Sequence, residues 1–444
     1  MNTISKKAKN LVCLVAAISI VGMAIVTTQA TPQKFRSSVK PEAFTGDSVV
    51  LQWNEIAYNR LPPGPPHPTA RFMATVQLAV FEAVNAITGK YQPYLGTITA
   101  PAGASPEAAA IAAAHDTLAG LFQAQTAELD ALRDSSLAAI PDGQAKTDGI
   151  MVGQQAAAAM LANRMDDGFN PVILYTPTSS EPYQWQVTPG PCASNNAGVL
   201  KQMANVRPFG IESASQFRAE PPPSLGSGVY RHSFNEVQRV GALNASLADR
   251  PADREDVARL YAVTNVANNN SLLQQIAMAR NDEITDTART LAILNMAMND
   301  AFVSVMESKY VYTTWRPVTA IPRADEDGNK WTIAGPFTPL IGTPCFPGYP
   351  SAHGSATNAV ITVLERAYGR FGHTVTVSHP AGKRPDGSAI VLSYTDLEDI
   401  ISDVSDARVY GGIHFRFDQD AGEKQGHAIA QYVYNTKLQK LGDE

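Results

Sequence analysis

Cysteine is scarce in this chain, with three residues among 444. Cys13 lies in an apolar stretch near the start, so Cys192 and Cys345 are the two left in the body of the sequence. Such a pair could form one disulfide bond in an oxidising compartment, or could be two unrelated buried thiols. The sequence leaves both possibilities open.

The chain also lacks an excess of basic residues. It has 35 lysines and arginines against 41 acidic residues, a formal net charge of −6. A protein with this balance is not a general nucleic-acid binder. With 44% hydrophobic and 17% charged residues, the composition is that of a globular protein with enough chain for a large core.

Long apolar runs are confined to the first 30 residues. Three lysines there precede an apolar stretch from Leu11 to Val26, and Thr28-Gln29-Ala30 suits a small-residue cleavage site. We predict that residues 1–30 are a signal peptide, that the mature chain begins near Thr31, and that the protein is periplasmic or secreted. An uncleaved anchor helix is the alternative, although the apolar run is short for a membrane span. After signal removal we expect no membrane association.

Helical periodicity dominates the rest of the chain, and we predict an all-α fold. Residues 31–68 are Pro-rich and predicted to be an extended lead-in, and residues 168–227 are rich in Pro, Gly, Ser and Asn. We interpret 168–227 as a long structured excursion, with a linker between independent domains as the competing interpretation. The predicted division is an N-terminal helical half, residues 31–227, and a C-terminal helical bundle, residues 228–444. Predicted helices cover 69–86, 105–136, 142–167, 228–246, 252–279, 284–310, 352–369, 395–410 and 414–437.

A weak internal similarity links two of these helices. Residues 79–86 are followed by Lys90, and residues 297–304 are followed by Lys309, with acidic residues Glu82 and Asp300 at matching positions. This suggests two related helical bundles. Chance similarity between two amphipathic helices explains it equally well.

The stretch Y-P-S-A-H-G-S, from Tyr349 to Ser355, has the residue types of a helix start. Pro350 disfavours helix before it, and Ser351 is a good N-cap. The backbone N–H groups that follow would then be unpaired donors that can hold an oxyanion. His353 lies in the same turn, where it could give or take a proton. Taken alone, this pattern is more often an ordinary capped helix with a surface histidine.

Two further segments carry charge that could surround an anion. Lys309 and Arg316 are seven residues apart, which would place them on one face if that segment were helical up to Pro317. In the second segment the glycine pair 411–412 breaks the helical pattern between Arg408 and His414. His414 and Asp418 have helical i, i+4 spacing, so that the carboxylate can orient the imidazole. Each pair in isolation is more often an ordinary surface feature.

Together the three segments read K-x6-R-P, P-S-x-H-G and R-x5-H-x3-D in that order. This resembles the vanadium-dependent haloperoxidases and the related type 2 phosphatidic-acid phosphatases. The runs C-F-P-G-Y-P-S-A-H-G and A-R-V-Y-G-G-I-H-F-R-F-D are closest to the haloperoxidase side. The resemblance covers about residues 290–425.

The resemblance implies two four-helix bundles with long irregular excursions, and an anion site in the C-terminal bundle. It implies vanadate as cofactor, with hydrogen peroxide, a halide and a small organic acceptor as reactants. By position, His414 would coordinate vanadium with Asp418 behind it, His353 would be the acid–base group, and Lys309 would polarise bound peroxide. The oxyanion would be held by Lys309, Arg316, Ser351, the N–H of Ala352, His353, Arg408 and His414. Phe346 would line the halide side.

This sequence departs from the family pattern at two positions. Ala352 stands in place of a glycine and Ala407 in place of a serine, which removes one hydroxyl. The runner-up function is a soluble exported acid phosphatase, with His414 as the nucleophile and His353 as the acid. A non-catalytic anion-binding protein is a third possibility, which the complete set of cations and histidines disfavours.

Overall fold

The computed structural model describes residues 48–442, apart from residues 63, 190–191, 193–195, 264–265 and 281. The predicted signal peptide and the predicted start at Thr31 therefore lie outside the described residues.

Helices make up most of the described chain. They are α1 (Ser48–Arg60), α2 (Pro66–Thr88), α3 (Pro106–Leu121), α4 (Thr126–Leu137), α5 (Gln144–Asn163), α6 (Gly228–Val240), α7 (Ala252–Tyr261), α8 (Val266–Met278), α9 (Ile284–Tyr312), α10 (Pro317–Ala320), α11 (Ala352–Tyr368), α12 (Leu397–Tyr410) and α13 (Arg416–Thr436). Two strands, β1 (Phe371–Lys383) and β2 (Ala389–Asp396), form an antiparallel hairpin. The mostly helical fold is as predicted, and the hairpin is the exception.

The centre of the protein is α9, whose side chains are buried on nearly every face from Thr285 to Met306. A helix that is buried on nearly every face belongs to a core. It packs against α2 on one side and against α11 and α13 on the other, while α3 packs against α2 and α5. α2 is the one described helix long and apolar enough to cross a membrane, yet 83% of its apolar window is buried inside the protein. It is therefore built as a core helix.

Three predicted segments were wrong. The single helix predicted over 105–136 is two, α3 and α4. The lead-in 31–68 contains helix α1, whose Val49, Val50, Trp53 and Ala57 are buried at helical spacing. The Pro-rich composition of the whole segment masked that local period. Between residues 252 and 279 the single predicted helix is two, α7 and α8.

The hairpin was not predicted, although its sequence carries the signal. Val375 and Val377 alternate with polar residues and are buried, which is the period of a half-buried strand. Pro385-Asp386-Gly387 lies between the two strands, and Gly387 has φ 85°. The buried face of the hairpin packs on α7 and α8.

The irregular excursion is bound firmly to the end of α9. The N–H of Trp185 donates to the oxygen of Thr313 (2.7 Å), and the N–H of Val199 donates to the oxygen of Cys345 (2.9 Å). Cys192 and Cys345 are joined by a disulfide bond, with 5.1 Å between their Cα atoms. Of the two possibilities that the sequence left open for this pair, the structure shows the disulfide bond.

The acidic residues of the internal similarity have the same structural use. Glu82 of α2 accepts hydrogen bonds from the N–H groups of Tyr94 and Gly96, and buried Asp300 of α9 accepts three from residues 209–211. Each carboxylate thus fixes an irregular segment to a core helix. The lysines do not match in this way, since Lys90 is partly exposed and Lys309 fully buried.

Candidate active site

Ser351 caps helix α11, as its sequence predicted. Its side-chain oxygen accepts a hydrogen bond from the N–H of Gly354 (3.2 Å), which leaves the hydroxyl hydrogen free to donate elsewhere. The N–H groups of Ala352 and His353 lie in the first turn, where the helix supplies no acceptor. These donors and the positive end of the helix dipole together favour an anion.

Helix α13 lies directly against this first turn. A Cβ atom on Gly426 would lie 1.9 Å from the backbone oxygen of Ser355, so only glycine allows the two helices to approach this closely. The N–H of Ser351 also donates to the oxygen of Asp418 at the start of α13 (2.8 Å). The helix start and the histidine segment are thus held in one rigid arrangement.

Lys309 enters the site from the last turn of α9. Its side chain is fully buried, and Nζ donates to the backbone oxygens of Pro347 (2.9 Å) and Gly348 (2.6 Å). An ammonium group has three donors, so one remains for another partner.

Arg316 also lies in this site, but not, as its spacing predicted, on a helix face shared with Lys309. α9 ends at Tyr312 and Thr313 is left-handed with φ 48°, so Lys309 and Arg316 do not share a helix face. The Arg316 Nε donates to the oxygen of Phe346 (3.0 Å) and Nη1 to the oxygen of Ile413 (2.9 Å). Its Nη2 has no partner among the described residues.

The seven residues from Cys345 to Ser351, here called the carbonyl segment, provide three of these contacts. The oxygens of Phe346, Pro347 and Gly348 accept from the two cations. Cys345 ties one end to the excursion, and Ser351 ends the segment as the helix cap.

Arg408 and His414 lie on either side of the glycine pair. α12 ends at Tyr410, as predicted, and Gly412 has φ 79° with its backbone against the oxygen of Gly241. Arg408 Nη1 donates to the oxygen of Tyr261 (3.1 Å), while its Nε has no partner among the residues that the structure describes.

His414 and Asp418 meet, although His414 is not helical. Phe415 is the N-cap of α13, so the expected pair on a helix face is instead a contact at the helix start. His414 Nδ1 lies 2.8 Å from Asp418 Oδ2, which also accepts from the N–H of Phe415 (3.1 Å). On the other side of the ring, Nε2 lies 2.9 Å from Arg316 Nη1.

Burial governs the electrostatics of this cluster. Lys309, Arg316, Arg408 and His414 are each at most 3% exposed. Burial and the charge of Arg316 hold the pKa of Lys309 well below its ordinary value. Burial lowers the pKa of Arg316 to about 10 and that of Arg408 to about 9, so both remain charged at neutral pH.

The two histidines are neutral in this setting. Burial, followed by the charge of Arg316, holds the pKa of His414 well below its usual range. Burial and the charge of Arg408 do the same for the pKa of His353. Burial raises the pKa of Asp418, against the opposing effect of Lys309 and Arg316.

His353 also lines a cavity beside the cation cluster. The cavity is small, about 30 Å³ of space open to the centres of water molecules, and its walls include Pro66, Phe302, Ala356 and Val404. About 10–15 Å³ holds one water, so this space suits two or three very small molecules.

Sequence reasoning missed His67, which the fold brings to the edge of the site. It lies in the first turn of α2, is 1% exposed, and has its ring centroid 4.5 Å from that of Phe302 and 5.6 Å from that of Phe346. The Phe346 centroid in turn lies 5.3 Å from Lys309 Nζ. A single histidine between prolines carries no periodic signal, so periodicity could not identify it.

Comparisons with known proteins show which family and which fold the chain resembles. Residues 289–443 match the family model of the VCPO second helical-bundle domain. A vanadium chloroperoxidase of Curvularia inaequalis is 25% identical over 188 residues, which are 36% of this chain and 31% of that protein. The match therefore spans about a third of that relative.

Solved structures extend the likeness over most of the chain. The crystal structure described as the first bacterial vanadium-dependent iodoperoxidase aligns with a TM-score of 0.71 at 23% identity, covering 89% of this chain and 96% of that one. An apo-type bacterial vanadium-dependent chloroperoxidase aligns with a TM-score of 0.68 at 17% identity, covering 86% and 96%. The chain has the vanadium haloperoxidase fold.

Within this haloperoxidase fold, the predicted site positions from Lys309 to Asp418 all lie in the matched domain, and His67 lies outside it. Ala407, next to Arg408 in α12, is fully buried, and its methyl group offers no hydroxyl to the site. Ala352 is also buried and keeps its N–H at the helix start.

Proposed function

We propose that this protein is a vanadium-dependent haloperoxidase, which oxidises halide with hydrogen peroxide to hypohalous acid. The observation that carries the proposal is the buried cluster of Lys309, Arg316 and Arg408 around the start of α11. One carboxylate, that of Asp418, opposes these three cations. Buried charge without a partner is costly, so the cluster is suited to an oxyanion.

The donors left over in the cluster fit vanadate. Arg316 Nη2 and Arg408 Nε are buried and have no partner within the described ranges. The hydroxyl hydrogen of Ser351, the N–H of Ala352 and the third donor of Lys309 add to them. These groups would hold the oxygens of the anion, and His414 Nε2 would be the ligand to vanadium.

When bound, vanadate would supply a Lewis-acidic centre that activates hydrogen peroxide towards halide. The residues of the chain bind and orient. Asp418 accepts from His414 Nδ1 and so fixes the tautomer with its lone pair on Nε2, the nitrogen that accepts from Arg316 Nη1 here and would turn to vanadium when the anion is bound. A bound anion would favour the charged form of Lys309, which would then lie beside the reacting oxygens, where electrostatic preorganisation is effective.

His353 would handle the proton. In the overall reaction the peroxide O–O bond breaks, halide loses two electrons to become hypohalous acid, and one proton is consumed as water forms. His353 is neutral before the anion binds, so a ring nitrogen can accept a proton from peroxide and return it to the leaving oxygen.

The size of the cavity beside His353 suits these reactants. Hydrogen peroxide and a halide ion are of the size that about 30 Å³ admits, whereas an organic acceptor is not. We therefore propose that the small organic acceptor meets hypohalous acid after it leaves the buried cluster.

An acid phosphatase is the second candidate. The Asp418–His414 pair would also suit a nucleophilic histidine, and a cation cluster that holds vanadate would hold a phosphoryl group. A phosphate ester, however, needs room for its leaving group, and the cavity beside His353 is small.

Two further features belong to this proposal. The helices would form two four-helix bundles, residues 31–227 and 228–444 being the two halves, with the anion site in the second.

The chain would be exported, because residues 1–30 have a basic start, an apolar run and a small-residue cleavage site. Export predicts a mature N-terminus near Thr31, and N-terminal sequencing that still finds residues 1–30 on exported protein would contradict it.

The deciding experiment is a vanadate titration of metal-free protein. Bromide oxidation with peroxide should appear with vanadate and saturate, while hydrolysis of a phosphate ester stays absent. Lys309→Met should weaken saturation, and the same change at exposed Lys330 should not. Ester hydrolysis that vanadate suppresses, with no halide oxidation, would favour the phosphatase instead.

A further inference from the structure

His67 is a buried polar side chain for which the haloperoxidase proposal has so far given no use. Its ring is 1% exposed, and neither Nδ1 nor Nε2 has a hydrogen-bond partner among the described residues. Buried polar atoms are nearly always paired, and an unpaired one costs free energy. An imidazole with both nitrogens unpaired therefore points to a partner that is not part of the protein.

The surroundings of His67 indicate the charge of that partner. Lys309 is close enough to lower the pKa of His67, and burial is the larger cause, bringing that pKa to about 3. The ring is therefore neutral and offers one N–H donor and one acceptor nitrogen. His67 also lies in the first turn of the long helix α2, whose positive end favours an anion.

The position of His67 indicates the size of the partner. Its neighbour Pro66 and its contact Phe302 both line the small cavity that His353 shares, and Phe346 packs edge-on against the ring. A cavity of this size admits a monatomic anion. The two aromatic rings that contact His67, Phe302 and Phe346, offer its nitrogens no hydrogen-bond partner, so an anion beside the ring would not compete with a protein acceptor for the N–H.

We propose that His67 is a halide-binding residue, whose ring N–H donates a hydrogen bond to the halide at the edge of the cation cluster. His67 thereby lets the N-terminal half of the chain contribute to halide specificity. Its kinetic consequences rest on the proposed haloperoxidase function, whereas halide binding itself does not.

The test begins with crystals of the full chain soaked in bromide, whose anomalous scattering locates the ion. We expect a bromide peak within hydrogen-bond reach of a His67 ring nitrogen, and no peak there in His67→Phe. Phenylalanine preserves the aromatic packing on Phe302 and Phe346, so this variant should fold. His67→Gln keeps an N–H donor and should retain a weaker peak.

The second measurement is steady-state halide kinetics. His67→Phe should raise the bromide KM about tenfold or more, as the loss of one hydrogen bond to a charged group predicts, with kcat within about twofold and vanadate affinity unchanged. His67→Gln should recover part of the KM, and exposed His232→Gln should match the wild type. An unchanged bromide KM in an active His67→Phe enzyme would show that the ring is structural.

The crystallographic result tests halide binding at His67 even if the protein oxidises no halide. A bromide peak that persists in His67→Phe, or that never forms beside the ring in the wild type, overturns the assignment. A peak at His67 in a protein without haloperoxidase activity would uphold the site and reject the proposed function.

Discussion

Asp418→Ala is the change that most directly tests how the histidine is held. Asp418 is buried, and its Oδ2 accepts from His414 Nδ1 and from the N–H of Phe415. Removing the carboxylate leaves two buried donors without an acceptor. It also removes the negative charge that offsets Lys309 and Arg316.

The expected magnitudes follow from these contacts. Each unsatisfied buried donor costs about 1–3 kcal/mol, so the two donors left by Asp418→Ala predict a loss of about 2–6 kcal/mol in the free energy of unfolding. For binding, loss of the carboxylate behind a metal-ligating histidine lowers metal affinity roughly 10- to 100-fold. Asp418→Asn keeps an acceptor oxygen and should fall between the alanine variant and the wild type in stability.

The assay combines urea unfolding with vanadate titration of the folded protein. Asp300→Asn is the matched control, because Asp300 is equally buried and also accepts backbone N–H bonds, but lies away from the cluster on α9. It should lose stability and keep vanadate affinity. If Asp418→Ala bound vanadate as tightly as Asp300→Asn, the orienting role of Asp418 would be refuted.

Other variants and conditions test the remaining parts of the site. His414→Ala should abolish vanadate binding, whereas His353→Ala should leave vanadate bound more weakly and slow bromide oxidation by roughly 10²–10⁴; equal affinity losses in both would contradict the separate roles. Burial and nearby cations lower the pKa of His353, and a bound anion would offset the cations and raise that pKa. Vanadate binding near pH 6 should therefore be accompanied by proton uptake on His353. Calorimetry in buffers of different ionisation enthalpy should show uptake rather than release. Gly426→Ala should destabilise by about 1–3 kcal/mol in urea unfolding, since its Cβ meets the backbone of Ser355, while Gly228→Ala, whose Cβ would meet open space, should not. Phe346→His should change the relative rates with chloride, bromide and iodide, and unchanged ratios would remove Phe346 from halide selection.

Much of the cation cluster could be predicted from sequence because its residues lie in short motifs. Ser351 as a helix cap and the break at Gly412 depend on local backbone preferences, which a few neighbouring residues determine. The route of the chain to Arg316 could not be predicted in this way. The left-handed backbone conformation of Thr313 is stabilised by contacts with the distant excursion, such as the hydrogen bond that the Thr313 hydroxyl donates to Gln184.

Helix α1, the hairpin and His67 were not predicted, for different reasons. Helix α1 and the hairpin each had a visible period that the composition of the longer segment concealed. His67 had no local signal at all, because its burial against Phe302 and Phe346 depends on the packing of α2 on α9. Tertiary contacts of this kind lie outside the reach of periodicity.

The carbonyl segment contacts the site in two ways, through its main-chain oxygens and through the side chain of Phe346. Lys309 and Arg316 are held by its main-chain oxygens, so their positions depend on the backbone of the segment and hardly on its side chains. The side chain of Phe346, meanwhile, faces His67. The same ring lies 5.3 Å from Lys309 Nζ and 5.2 Å from Arg316 Cζ, so substitution at Phe346 changes the packing on both cations while their main-chain hydrogen bonds remain. A lineage with this arrangement can change the residue at position 346 and keep the main-chain acceptors of both cations.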